Sequence, residues 1–214
     1  FGKTVYSFPL NRAIEEGFLT QYSYYPVPVN LTEIEMETYS DLTSKIVPLF
    51  AKKNKSETEE KRLTSLLLKR ADVLKNAENK IVELKKVLLT IERLDHAIFY
   101  CAPAQREKIL QILGVEKRIR THQFTYREDN NLRQDILTQF DKGFIQAIVA
   151  IKCLDEGVDV PSSRMAFFLA NSTNPREFVQ RRGRVLRRSE GKTSASLYDF
   201  LTIPPLSSKE NDYD

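Results

Sequence analysis

Two short runs of this sequence carry residue types and spacings suited to chemistry on a phosphorylated ligand. The first is Lys152, Cys153, Leu154, Asp155, Glu156, Gly157, Val158, Asp159, Val160 and Pro161, which directly follows the strongest apolar strand pattern, residues 145–151. Ligands of open α/β sheets bind at the carboxyl ends of strands. A glycine at such a point lets backbone approach a phosphate or ribose, and a carboxylate there can accept a sugar hydroxyl. Asp155 and Glu156 also permit an acidic pair for nucleotide hydrolysis, which would need a phosphate loop beside it. An acidic surface turn is the plain alternative. The second run spans 176–188 and is rich in arginine. On a helix, Gln180, Arg184 and Arg187 are four and three apart and share one face. Guanidiniums so grouped can grip phosphate oxygens bidentately, and Gly183 admits close approach. Phe178, Val179, Val185 and Leu186 supply packing positions. Alone, such a helix could equally be a solvated basic face. Its place one strand and one loop after the acidic glycine turn favours a shared site.

These runs need a frame. From residue 96 onward, strand patterns alternate with helical ones. Strands are expected at 97–101, 118–123, 145–151, 165–170 and 194–200. Helices are expected at 104–113, stopped by Gly114, at 127–141, ending near Gly143, and at 175–186. The alternation predicts a parallel sheet with helices on its faces. Upstream, residues 1–31 read as extended and turn segments, with extended stretches at 4–8 and 22–29 and a short helix closed by Gly17. Thr32 with Glu35, and Ser56 with Glu59, have the capping-box spacing and open two helices. Tyr39, Leu42, Ile46 and Leu49 form the apolar stripe of the first; Leu63, Leu66, Leu67 and Leu74 form that of the second. A third helix carries Ala77, Ile81, Leu84, Leu88 and Ile91. Lys52, Lys53 and Lys55 lie between the first two, so residues 32–75 read as a projecting helical insertion with a basic tip. The lobe proper is expected over 76–205 and a disordered tail over 206–214.

The bulk properties narrow the partners. The chain has 214 residues, 41% hydrophobic and 29% charged, with a net charge of +4. Its acidic excess lies at both ends and its basic excess in between, which permits polyanion binding. No apolar run approaches the ~18 residues of a membrane span, and no signal peptide opens the chain. Two cysteines, Cys101 and Cys153, and two histidines, His96 and His122, show no metal-ligand spacing. A cytoplasmic protein without a metal of its own is expected.

Residues 155–161 resemble motif V of superfamily 2 helicases, and residues 180–187 resemble motif VI, in the same order and separation. The trailing Glu190, Gly191, Lys192 and Tyr198, Asp199, Phe200 fit the same pattern, and residues 96–101 sit where motif IV lies. Gly17, Phe18 and Leu19, the helical insertion, and the run Glu78, Asn79, Lys80, Ile81 are most similar to XPB-type DNA-repair helicases and related restriction-enzyme translocase subunits. The resemblance implies a second RecA-like motor lobe, with ATP and Mg2+ held mainly by a first lobe of the same polypeptide. It implies arginine fingers at Arg184 and Arg187, a γ-phosphate or water contact at Gln180, and a tie to the first lobe from Arg181. It further implies a ribose contact at Asp159, with Gly157 keeping the turn tight. Many family members place Thr or Ser where this chain has Ile151, and Lys152 beside it is the available charge for a nucleic-acid phosphate. By the same resemblance Lys52, Lys53 and Lys55 would grip duplex DNA. A full phosphate loop needs Gly-x-x-x-x-Gly-Lys-Ser/Thr. Neither Gly2, Lys3, Thr4 nor Gly191, Lys192, Thr193 completes one. The expectation is an excised C-terminal half of a DNA helicase or translocase, inactive alone. An RNA helicase lobe and a catalytically silent nucleic-acid-binding module are the alternatives.

Overall fold

The computed structural model describes residues 10–151, 160–170 and 175–204, with side chains at 175–178 excepted. The expected strand at 4–8 and the expected tail at 206–214 lie outside these residues.

Aromatic and β-branched residues dominate the first strand, and its prolines fix its place. Strand β1 (Gln21–Asn30) pairs in parallel along its whole length with β6 (Ser194–Ile203). Pro26 and Pro28 are two apart, so their missing N–H groups fall on the same side, which an edge strand can leave unpaired. Val27 and Val29 alternate with them and are buried. The extended stretch expected at 22–29 falls within β1. This stretch is the sheet's edge, because its buried valines and its ladder with β6 make it part of the core.

The remaining strands are β2 (Ala97–Tyr100), β3 (Thr121–Phe124), β4 (Ala147–Ala150) and β5 (Met165–Phe168). The order is β1-β6-β5-β2-β4-β3, and every pairing is parallel. Strands buried on both faces read as unbroken apolar runs, as β2 and β4 do. One face packs Phe99, Val149 and Phe167 against Leu84 and Leu88 of α4 (Asn79–Thr90) and Ile109 of α5 (Arg106–Gln111). The other packs Ile98, Ile148 and Phe168 against Ile136 and Phe140 of α6 (Asn130–Asp141) and Val185 of α7 (Pro175–Val185). Helices on both faces match the expectation. Four rings stack in register across the first face: Tyr25 on Tyr198 at 4.9 Å, Tyr198 on Phe167 at 4.8 Å, and Phe167 on Phe99 at 4.3 Å. Such cross-strand pairs each contribute ~0.2–1 kcal/mol and pin the register.

Gly114 does not stop its helix. The chain continues through a wide turn in which the Lys117 N–H donates to the Ile112 carbonyl at 3.0 Å. Burial of Ile112 and Leu113 holds that turn against the sheet despite the glycine.

Both capping boxes form. Thr32 and Glu35 open α2 (Glu33–Ala51), and Ser56 and Glu59 open α3 (Glu57–Asn76), with side chain and backbone exchanged in each. A cap of this kind is worth ~1 kcal/mol. The two helices pack on each other, with Arg70 over the Tyr39 ring at 5.6 Å and donating to the Thr43 hydroxyl. No residue of α3 is fully buried, and Ile46 alone is buried in α2. The hairpin is fastened at its base, where Glu35 accepts from the Glu78 N–H and Thr202 donates to the Leu74 carbonyl. The short α1 (Leu10–Glu15) precedes a turn at Gly17, whose φ of +77° suits glycine.

Candidate functional site

Helix α7 divides its residues between anchoring and presentation. Arg181 is only 6% exposed; its Nη1 donates to the Ala170 carbonyl at 3.0 Å, and its guanidinium lies 5.4 Å over the Tyr100 ring. Arg181 was expected to tie the helix to a first lobe, and within this chain it serves α7 itself. The side chain turns inward and fastens α7 to the carboxyl ends of β5 and β2. Arg182 lies 5.2 Å over Tyr22 and 5.5 Å over Tyr24, and it donates to the Tyr22 hydroxyl at 2.6 Å. Tyr24 in turn donates to buried Asp199 at 2.6 Å. Burial, and then the Asp199 carboxylate, push the Tyr24 phenol up to about 12.

Gln180 is exposed and Arg184 half-buried. A Cβ at Gly183 would meet no described atom within 4 Å, so that turn of the helix faces open space. Arg187 departs from the helical spacing, because α7 ends at Val185 and not at Leu186. Arg187 instead forms an antiparallel bridge with Leu19, and the Thr20 N–H donates to the Leu186 carbonyl at 2.8 Å. Its exposed side chain is therefore set by a backbone bridge and not by helix periodicity.

Lys192 joins this turn to the acidic run. Its Nζ donates to the carbonyls of Val185 at 2.5 Å, Arg187 at 2.9 Å and Pro161 at 3.0 Å. The end of the 155–161 segment thus lies beside the turn that carries Arg187. Lys152, Gly157 and Asp159 themselves lie outside the described residues. Ile151 is 8% exposed and packs in the core.

The basic tip separates into unequal parts. Lys52 forms an ion pair with Glu59 at 2.7 Å, and its hydrogen bond is the main reason the Glu59 carboxyl is held at about 2. Lys55 donates to the carbonyls of Phe50 and Lys52, closing the end of α2. Lys53 is exposed and makes no ion pair among the described residues. Two of the three expected DNA contacts are therefore engaged within the hairpin.

Cys101 is buried, and burial pushes its thiol up to about 12, which makes it inert. Among the described residues no cluster of His, Cys, Asp or Glu could hold a metal ion, and no helix is long and apolar enough to cross a membrane. Sequence reasoning missed Arg182, Tyr22 and Tyr24 as a unit. The alternation of the two tyrosines was visible, but their partner lies 160 residues away from Tyr22.

The helicase conserved C-terminal domain family matches residues 79–189. The DNA 3′–5′ translocase XPB2 of Sulfurisphaera tokodaii is 25% identical over 210 residues, covering 89% of this chain and 46% of that protein. The chain thus spans about half the length of this curated relative. The Sulfolobus solfataricus SWI2/SNF2 ATPase core, solved in complex with dsDNA, superposes with a TM-score of 0.66 at 14% identity, over 85% of this chain and 41% of its own. The C-terminal part of the Fun30 ATPase domain superposes with a TM-score of 0.63 at 14% identity, over 91% of this chain and 92% of its own. At these identities the two structures speak for a shared RecA-like fold. The matched family, together with the parallel sheet and the motif V and motif VI runs, shows that this chain belongs to the helicase conserved C-terminal domain family of superfamily 2.

Proposed function

We propose that this chain is the second motor lobe of an ATP-driven DNA translocase or helicase, supplying Arg184 and Arg187 to the γ-phosphate of ATP held against a first lobe. The observation that carries the reading is the split of α7. Arg181 and Arg182 anchor it inward, while Gln180, Arg184 and Arg187 lie on exposed or half-exposed positions. The anchored arginines fix the helix, so Gln180 and Arg184 spring from a defined backbone. Cationic and amide donors fit phosphate oxygens. They do not fit Mg2+, which takes oxygen ligands, so the acidic metal-binding pair belongs to the other lobe.

ATP supplies the phosphoryl chemistry when bound. This chain's part is to orient and neutralise: Arg184 and Arg187 face the phosphate oxygens, and Gln180 positions the γ-phosphate or attacking water. Fingers of this kind contribute ~10³–10⁵ in turnover in related phosphoryl transfers. Asp159 would accept a ribose hydroxyl and Gly157 keep its turn tight, with Lys152 and the hairpin tip meeting nucleic-acid phosphates. DNA is the favoured polymer, since the curated relative is named a DNA translocase and the SWI2/SNF2 core was solved on duplex DNA.

The chain alone should hydrolyse no ATP, because neither of its Gly-Lys-Thr runs completes a phosphate loop. The test is an ATPase assay of residues 1–214 with and without duplex DNA, beside the full-length protein. Turnover by the isolated chain that survives repurification and vanishes in Arg187→Ala would overturn the half-motor reading.

A further inference from the structure

Lys192 stands outside the set of residues expected to touch nucleotide, yet it occupies the junction of the two runs that carry the site. We infer that Lys192 is a positioning residue that locks the turn carrying Arg187 to the loop at Pro161, so that the backbone from which the finger springs is held in one place. The inference rests on the finger role proposed for Arg187.

Lys192 is 8% exposed, and its ammonium reaches three carbonyl oxygens on two separate segments. The Val185 and Arg187 carbonyls lie at the carboxyl end of α7, where unpaired carbonyls and the negative end of the helix dipole favour a cation. Those two contacts would make an ordinary helix cap. The third, to Pro161, goes to a different loop, and a cap has no need of it. A buried ammonium is costly unless hydrogen-bonded, and here three carbonyls meet it. What the ammonium adds is direction, because three donors diverging from one atom fix three acceptors relative to one another.

Arg187 is the residue most constrained by this arrangement. Its peptide bridges Leu19 on one side, and its own carbonyl accepts from Lys192 on the other. Its exposed side chain therefore springs from a backbone held at both ends. Loss of the Lys192 contacts would leave the Leu19 bridge in place but free the turn from Pro161.

The experiment is a double-mutant cycle in the full-length protein, with Lys192→Met, Arg187→Ala and both together. It is followed by kcat and KM for ATP under DNA-saturated conditions. Single-turnover measurement over hours captures slow residual hydrolysis. Lys192→Met should lower kcat by about 10–100-fold, since small misplacements of a reacting group cost on that order. KM should stay within about threefold, and Lys192→Arg, which keeps donors, should recover part of the loss. In the Arg187→Ala background, Lys192→Met should change kcat by less than about threefold, because a positioning residue cannot act through an absent finger. A kcat in folded Lys192→Met within about threefold of wild type overturns the inference. So does a loss that multiplies fully in the double mutant, which would mark Lys192 as a structural residue only. Arg187→Ala without effect on kcat would instead refute the finger role itself. Should Lys192→Met fail to fold, Lys192→Gln, one bond shorter and with two N–H groups for three carbonyls, goes through the same cycle, and a kcat within about threefold of wild type would again overturn the inference.

Discussion

Arg182 and Tyr22 are joined twice, by the guanidinium lying 5.2 Å over the ring and by its Nη2 donating to the hydroxyl at 2.6 Å. This contact ties the edge strand to the helix that carries Arg184 and leads into the turn of Arg187. Tyr24 also lies under Arg182, at 5.5 Å, and donates to Asp199 of β6 at 2.6 Å. The edge strand is thus part of the scaffold of α7.

Separating the two components of that contact gives the first prediction. Tyr22→Phe keeps the ring and removes the acceptor, and should destabilise the fold by ~1 kcal/mol, as expected for a half-buried hydrogen bond to a charged group. Tyr22→Ala also removes the ring and its cation–π contact, and should cost ~2–3 kcal/mol. Urea melts with an unchanged m-value would measure both. Equal and negligible losses in the two variants would mean that Arg182 is held by other contacts.

In the full-length protein, Arg184→Ala or Arg187→Ala should lower kcat far more than nucleotide affinity. In the proposed finger role the guanidiniums would meet charge that grows in the transition state, which affects rate more than ground-state binding. Steady-state kinetics combined with equilibrium nucleotide binding would check this. A loss of affinity with kcat unchanged would mean that they only hold the ground state.

Much of the frame was legible because it rests on local signals. The capping boxes at Thr32 and Ser56 and the apolar run at 145–151 each state their element within a few residues. Arg187 was harder, since heptad-like spacing placed it on α7, whereas a bridge to Leu19 from the far end of the chain ends the helix first. Arg181 illustrates the same limit. Its neighbours on α7 do not reveal that Ala170 and Tyr100 wait on the inner side. Residue type and spacing pointed to a phosphate-binding chemistry, but which arginine turns inward and which stays exposed depends on contacts that the fold alone brings together.

Lys80 gives stability a dependence on pH. It is 2% exposed, with Nζ donating to the Leu169 carbonyl at 2.7 Å, and burial lowers its ammonium from 10.5 to about 8. The folded protein therefore binds fewer protons than the unfolded chain between these values, and this group's contribution to stability rises with pH across that window. It is lost as pH falls through about 8. Tyr24 and Cys101 act in the opposite direction, since both are raised to about 12 and lose stability above their usual values of 10.0 and 9.0. Comparison with Lys80→Met cancels them. The stability of wild type relative to Lys80→Met should improve by up to ~3 kcal/mol from pH 7 to pH 10.5, by the free energy of such a shift. A difference independent of pH would show that Lys80 stays charged when buried.

The hairpin tip yields a sharper test than its three lysines taken together. Lys52 is engaged by Glu59 and Lys55 by two backbone carbonyls, so a DNA phosphate would have to displace these partners. Lys53 is exposed and has no such competitor among the described residues. If the tip meets a duplex backbone, Lys53 should carry most of the contact. A single phosphate contact releases about one counterion, so Lys53→Ala in the full-length protein should reduce the slope of log affinity against log salt by ~0.9. The loss should be similar for all sequences, because phosphate contacts position DNA without reading bases. Lys52→Ala and Lys55→Ala should change the slope much less while loosening the loop, visible as faster amide exchange over 52–56. Binding titrations at several salt concentrations would distinguish the three. An unchanged affinity and slope in Lys53→Ala would mean that the tip is a solvated loop and that the grip on DNA lies on another surface.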